Sequence, residues 1–426
     1  MRDGPFAEGA LSCGLRVVCE HLPHAETVAL GLWLQAGPVY ESQATSGLSH
    51  FLEHCLFKGA GGRDTKQLAL DADELGGELD GVTEREATVL DLRVVPEDLE
   101  RGAHLLCDLA FRPMLPPEEV EREKQVVLQE KAMAHDRPGD VLADLLLAGV
   151  WPGHPLGSPI LGNGDAVSDC DAGGLGGFHR ETYAPALALM SAAGALDFEG
   201  LAAVLEKYVP AEWPEAGAPR SSSVPAFTVG EWKEERDFEQ VHLCLAVECP
   251  AAAAPERYAL ALLDAVLGGS VSSRLFQAVR EERGLAYSVG SSISLFRQTG
   301  IGLIHLSTAP DLAEEALRVV ADEVKRLRER GVEEAELARA KQQAKAGLVL
   351  SMDTTTARMG RLAKNVLLLD RILPMDEALE RLEQVRTDDV SALAAGLLGE
   401  GRLALAAVGP LGEGMWDNLR SVWSGL

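Results

Sequence analysis

Strand-like apolar runs occur at Leu15-Arg16-Val17-Val18, at Thr27 to Gln35 and at Val241 to Val247. Helical periodicity follows them. Between Gly47 and Gly59, Leu48, Phe51, Leu52, Leu56 and Phe57 wrap one short helix in apolar surface, with Thr45 and Ser46 placed to cap it. Pro116-Pro117-Glu118 through Met133 predicts a long helix, with prolines at its start and an acidic first turn. In the second half, helices are expected over 255–268, around Arg280, and over 311–330 and 333–352. Asp311, Leu312, Ala316, Val319 and Val320 fall at spacings suited to one buried face. Between the halves, 211–231 (AEWPEAGAPRSSSVPAFTVGE) is rich in Pro, Ser, Ala and Gly and has little periodicity. The same order of elements on either side predicts a duplication. Two similar α+β domains, 1–210 and 232–426, are expected around a linker at 211–231.

The length of 426 residues suits two or three domains, and 46% apolar with 25% charged residues describes a soluble globular protein. The net charge of −27 argues against nucleic-acid partners and against anionic membrane surfaces. It suits attraction of basic peptides, although solubility or salt adaptation would produce the same balance. The seven cysteines form no C-x-x-C pair and read as reduced, mostly buried thiols. With no signal peptide, Arg-rich presequence or long apolar run in view, a cytoplasmic location is expected.

The densest chemistry lies in His50-Phe51-Leu52-Glu53-His54. Histidines four apart on a helix stack on one face, so both rings can reach one ion, and Glu53 can reach the same spot. This order, H-x-x-E-H, is the inverzincin signature. Zinc held by neutral imidazoles and a carboxylate activates water, and a neighbouring carboxylate can take its proton. A third protein ligand is needed. Glu119, Glu123 and Glu130 share a face of the 116–133 helix, and their chemistry leaves Glu123 and Glu130 both open. A solvated acidic helix is the bland alternative.

The motif, with Arg122-Glu123-Lys124 and Leu128-Gln129-Glu130, resembles the M16 (pitrilysin) metallopeptidase family. Thr27–Gly37, Gly47–Gly59, His154–Gly162 and Ala338–Met359 are similar to its M16B branch, which holds bacterial and mitochondrial processing peptidases. The resemblance implies that Glu130, 76 residues after His54, is the third zinc ligand. It implies that Glu123 orients a ligand histidine from behind. Each half should be a mixed β-sheet backed by helices, with four such units enclosing a peptidase chamber, so that a homodimer is expected.

Ser272 to Val289 (SSRLFQAVREERGLAYSV) looks like the family's substrate-binding segment. On that likeness Arg280 and Tyr287 face the scissile bond and complete the zinc site of the partner subunit. Guanidinium and phenol suit an oxyanion or a substrate backbone. Asp80-Gly81-Val82-Thr83 stands where the family has an Asn-containing strand edge that binds substrate by strand addition. Asp80 in place of that Asn adds charge and suggests a preference for a basic residue beside the cleaved bond. Asp140 and Asp144 resemble acidic residues that hold a substrate arginine, or simply form a solvated face. The expected function is zinc-dependent endopeptidase action, one Zn2+ per chain, on extended peptides or leader segments. The alternative is an inactive scaffold or partner subunit; such members have usually lost ligands, and His50, Glu53, His54 and Glu130 are all present.

Overall fold

A strand covered on both faces must be apolar throughout, and Val28–Leu34 (VALGLWL) is buried at all seven positions. A computed structural model describes residues 5–213 and 223–426. The centre of the expected linker, 214–222, lies outside the described residues. Strands in chain order are β1 (Phe6–Ala10), β2 (Arg16–His21), β3 (Val28–Leu34), a small hairpin of β4 (Gly59–Ala60) and β5 (Arg63–Asp64), β6 (Glu78–Thr83), β7 (Thr88–Val94) and β8 (Ala188–Gly194). The second half adds β9 (Glu231–Glu235), β10 (Val241–Cys249), β11 (Ser288–Leu295), β12 (Gly300–Thr308) and β13 (Ala404–Gly409).

The first sheet runs β1-β2-β8-β3-β7-β6, with β2 and β8 parallel and the remaining neighbours antiparallel. One face packs on the helix Leu48–Leu56 and on Leu99–Phe111, through Phe51, Leu52, Leu90, Leu92 and Leu106, all nearly or wholly buried. The other face is covered by Thr355–Leu369, whose Met359, Leu362, Ala363 and Val366 meet Val18, Ala29, Trp33 and Leu189. Ser191 Oγ, buried mid-sheet, donates to Met359 O at 2.8 Å. At the edge strand β6, the helix Leu48–Leu56 takes the side of Leu79, Gly81 and Thr83.

The second sheet runs β11-β12-β10-β13-β9 with the same logic: β9 and β13 are parallel, and the others antiparallel. Its core includes Leu243, Leu245, Leu263, Leu306, Leu317, Val320 and Leu405. Both halves are therefore mixed sheets backed by helices, with matching strand connectivity, as a duplication requires.

Neither compact unit is a continuous stretch of chain. The first comprises 1–132, 158–222 and 351–372; the second comprises 133–157, 223–350 and 373–426. The division expected at 1–210 and 232–426 thus differs from the packing by one exchanged helical segment in each direction. Each segment brings an apolar helix to a sheet face: Thr355–Leu369 in the first unit, and Pro138–Val150 on β9, β10 and β13 in the second. An amphipathic sequence specifies that a face must be covered and does not specify by which sheet.

Candidate metal centre

The helix Leu48–Leu56 begins at Gly47, whose φ of +90 favours glycine, and where a Cβ would lie 2.9 Å from the Leu161 carbonyl oxygen. Thr45 and Ser46 do not cap it, contrary to expectation. Glu41 does so from outside the helix: its two carboxylate oxygens accept from Gly47 N at 2.7 Å and Ser49 N at 2.8 Å. Burial pushes the Glu41 carboxyl up, and the amide donors oppose that. A carboxylate over the first-turn amides also complements the helix dipole.

Three residues further on, His50 and His54 sit one turn apart, ring centroids 4.6 Å from each other. From the helix Pro117–His135, Glu130 Oε2 lies 3.6 Å from His50 Nε2 and 3.5 Å from His54 Nε2. One donor atom from each of the three residues lies within 4.8 Å of the other two. Tetrahedral ligands about 2.0–2.1 Å from zinc are separated by roughly 3.3–3.5 Å, so these two separations fit a single ion. Burial, then the neighbouring His54, lowers the His50 pKa to about 4, so its ring is neutral. His50 Nδ1 is buried without a hydrogen-bond partner. Two imidazole nitrogens and one carboxylate oxygen are the donor set of a catalytic zinc.

Glu123, only 8% exposed, approaches His54 Nδ1 at 3.3 Å through Oε2 and Lys58 Nζ at 2.9 Å through Oε1. An Nδ1–H donated to this carboxylate leaves the His54 Nε2 lone pair facing Glu130. Glu53, buried on the same helix, accepts from Thr83 Oγ1 at 3.2 Å. Burial raises its pKa; His54 and the Thr83 hydroxyl oppose the rise, and Asp80 and Glu130 add to it. A Cβ at Gly81 would lie 2.9 Å from the Phe57 ring and 3.1 Å from Glu53 Oε1, so glycine gives the carboxylate its room.

Asp80 lies on the other face of β6, opposite Asp91 on β7, and its Oδ1 accepts from Gly81 N at 2.9 Å. Burial, then Asp80 and Glu78, raises the Asp91 pKa to about 6. Val82 shares that outer face, 45% exposed. Gly81 and Thr83 face the metal helix instead.

The remaining residues singled out from sequence belong to the second unit. The segment expected to be an α-helix around Arg280 is a π-helical turn, Phe276–Glu281. The Arg280 guanidinium lies 4.5 Å from the Tyr287 ring centroid, and its Nη1 donates to Tyr287 O at 3.0 Å. Tyr287 is 78% exposed. Asp140, on the helix Pro138–Val150, faces Arg137 at 3.5 Å, and Asp144 sits one turn further along. Sequence reasoning missed Glu41 and Lys58. The carboxylate six residues ahead of Gly47 and the lysine just after the helix were the available signals.

Residues 16–164 match the family model described as insulinase (peptidase family M16), and 173–344 match the peptidase M16 inactive domain. An uncharacterized zinc protease of Mycobacterium bovis is 36% identical over 408 residues, covering 94% of this chain and 92% of the relative. The chain belongs to peptidase family M16. A second relative, the uncharacterized zinc protease YmxG of Bacillus subtilis, is 33% identical over 400 residues, covering 94% and 97%. The fold is shared with the crystal structure of a peptidase M16 inactive domain from Pseudomonas fluorescens (22% identity, TM-score 0.88, covering 95% and 98%). It is shared equally with a protease from Helicobacter pylori (18% identity, TM-score 0.87, covering 95% and 99%). His50, Glu53, His54, Glu123 and Glu130 all fall inside the first matched stretch, and Arg280 and Tyr287 inside the second.

Proposed function

We propose that this M16 peptidase is a zinc-dependent endopeptidase of the M16B branch that cuts extended peptides, leader segments among them. The observation that carries the reading is the convergence of His50 Nε2, His54 Nε2 and Glu130 Oε2 beside the buried Glu53. When bound there, zinc supplies Lewis acidity toward water and the scissile carbonyl. Glu53 is the general base: held by Thr83, with a raised pKa, it takes the proton of the attacking water on a carboxylate oxygen and hands it to the leaving amine. Glu123 fixes the tautomer and orientation of His54. The edge strand β6, hydrogen-bonded to β7 on one side, offers the backbone of residues 80–83 to a substrate strand. Asp80 favours a basic side chain on the outer face of that added strand; Asp80→Asn leaving the cleavage preference unchanged would refute this part. Asp140 and Asp144 are a second candidate set for basic substrate residues.

Arg280 and Tyr287 hold the substrate carbonyl as negative charge develops, and act in the site of a second copy in a homodimeric chamber. Mixing Glu53→Gln with Tyr287→Phe chains then restores part of the lost activity; no complementation at all defeats the shared site. The seven unpaired thiols suit a reducing compartment such as the cytoplasm. Among the described residues no helix is long and apolar enough to cross a membrane. Retention of every residue of the centre argues against the scaffold alternative. The reading is tested by chelator-sensitive cleavage of a quenched basic peptide: Glu53→Gln should keep zinc and lose cleavage. A variant that cleaves normally refutes the role of Glu53.

A further inference from the structure

We propose that Phe276 is a positioning residue for Arg280; this rests on the reading of Arg280 and Tyr287 given above. The Arg280 guanidinium carbon lies 4.8 Å from the Phe276 ring centroid as well as 4.5 Å from that of Tyr287. A planar cation within reach of two aromatic rings, with one N–H committed to Tyr287 O, has few ways to turn. Its Nε lies 3.8 Å from Glu281 Oε1, and the donors left over are presented in one orientation, at low entropic cost to whatever they bind.

The backbone around the stack is fixed at both ends. Arg274 grips Glu336 through Nε at 2.8 Å and Nη2 at 2.6 Å, and also donates to Gly331 O at 2.9 Å. At the far end Leu285 N donates to Val279 O at 2.9 Å, and Thr308 Oγ1 to Leu285 O at 2.5 Å. Between these anchors the chain takes the π-helical turn Phe276–Glu281, on which Phe276 and Arg280, four residues apart, share a face. Phe276 is only half-buried, so an apolar core role does not account for its placement. Leucine at this position keeps apolar contact and removes the π face; tryptophan keeps the face.

The test uses the full-length, zinc-loaded protein and a quenched basic peptide, with Phe276→Leu, Phe276→Trp, Arg280→Ala and the Phe276→Leu/Arg280→Ala double variant. Phe276→Leu should lower kcat/KM by about two- to fivefold, mainly in kcat, at unchanged zinc content and Tm. Phe276→Trp should restore the rate, and Phe276→Leu should add nothing once Arg280 is alanine. An equal penalty in the Arg280→Ala background, or a tryptophan variant as slow as leucine, overturns the inference while leaving the role of Arg280 standing. Arg280→Ala at the wild-type rate defeats the reading of Arg280, and this inference with it.

Discussion

Replacing Glu123 with glutamine preserves the outline of the side chain and removes its charge. In the native protein both oxygens are committed: Oε2 lies 3.3 Å from His54 Nδ1 and Oε1 2.9 Å from Lys58 Nζ. An amide has one acceptor, so whichever way it turns, its NH2 group faces either the imidazole N–H or the ammonium. One charge-assisted contact is lost at a position only 8% exposed, where water replaces it poorly. A hydrogen bond to a charged group is worth about 1.5–3 kcal/mol, which corresponds to roughly a 10- to 100-fold weaker hold on zinc. The assay is competition for zinc against a chromophoric chelator at neutral pH, alongside the melting temperature of the metal-free protein. Activity at saturating zinc should fall less than affinity does, because Glu53 and the three ligands are untouched. A zinc affinity within about twofold of wild type would refute the claim that Glu123 orients His54.

Three further changes probe the room beside Glu53, the cap of the ligand helix and a buried histidine. Gly81→Ala drives a methyl against Phe57 and Glu53 Oε1, at 2.9 and 3.1 Å, and should cut kcat by about tenfold or more with zinc retained; an unaffected kcat contradicts the need for space there. Glu41→Gln removes one of two acceptors from the first turn of the ligand helix and should destabilise the protein by about 1–3 kcal/mol in urea unfolding. No change would mean that the cap is dispensable. His179, buried with Nε2 2.7 Å from Ala110 O, has its pKa lowered to about 4 by burial. Its unfolded value near 6.5 is higher, so the unfolded chain binds the extra proton between those limits. Its stability contribution is full above about pH 6.5 and is lost as pH falls towards about 4, up to about 3 kcal/mol in all. The stability difference between wild type and His179→Gln should therefore narrow on acidification, and parallel pH curves contradict this.

Local periodicity carried much of this molecule. Four-residue spacing alone puts His50 and His54 on one face, and both long C-terminal helices lie where apolar spacing predicts them, as Ala313–Arg330 and Glu334–Leu350. The choice of Glu130 over Glu123 was not legible in spacing, because both lie on one helix face; only the family resemblance separated them. In space the distinction is plain, since Glu130 reaches both Nε2 atoms and Glu123 reaches the opposite nitrogen of His54. Glu41 escaped notice because a helix cap is normally sought among the residues adjoining the helix. The π-helical turn at Arg280 has no apolar period of its own. The exchanged segments 133–157 and 351–372 were hidden because helix amphipathicity states what must be covered without naming the sheet. Strand alternation sorts the neighbours on β6: Gly81 faces Glu53, and Asp80, next to it in sequence, stands on the other face.

The most direct measurement is an anomalous difference map collected at the zinc edge from crystals of the zinc-loaded protein. A single strong peak per chain is expected about 2.0–2.2 Å from His50 Nε2, His54 Nε2 and a Glu130 oxygen, with Glu53 outside bonding distance. A peak held by other residues, or none at these three in protein grown with excess zinc, would contradict the assignment of the centre.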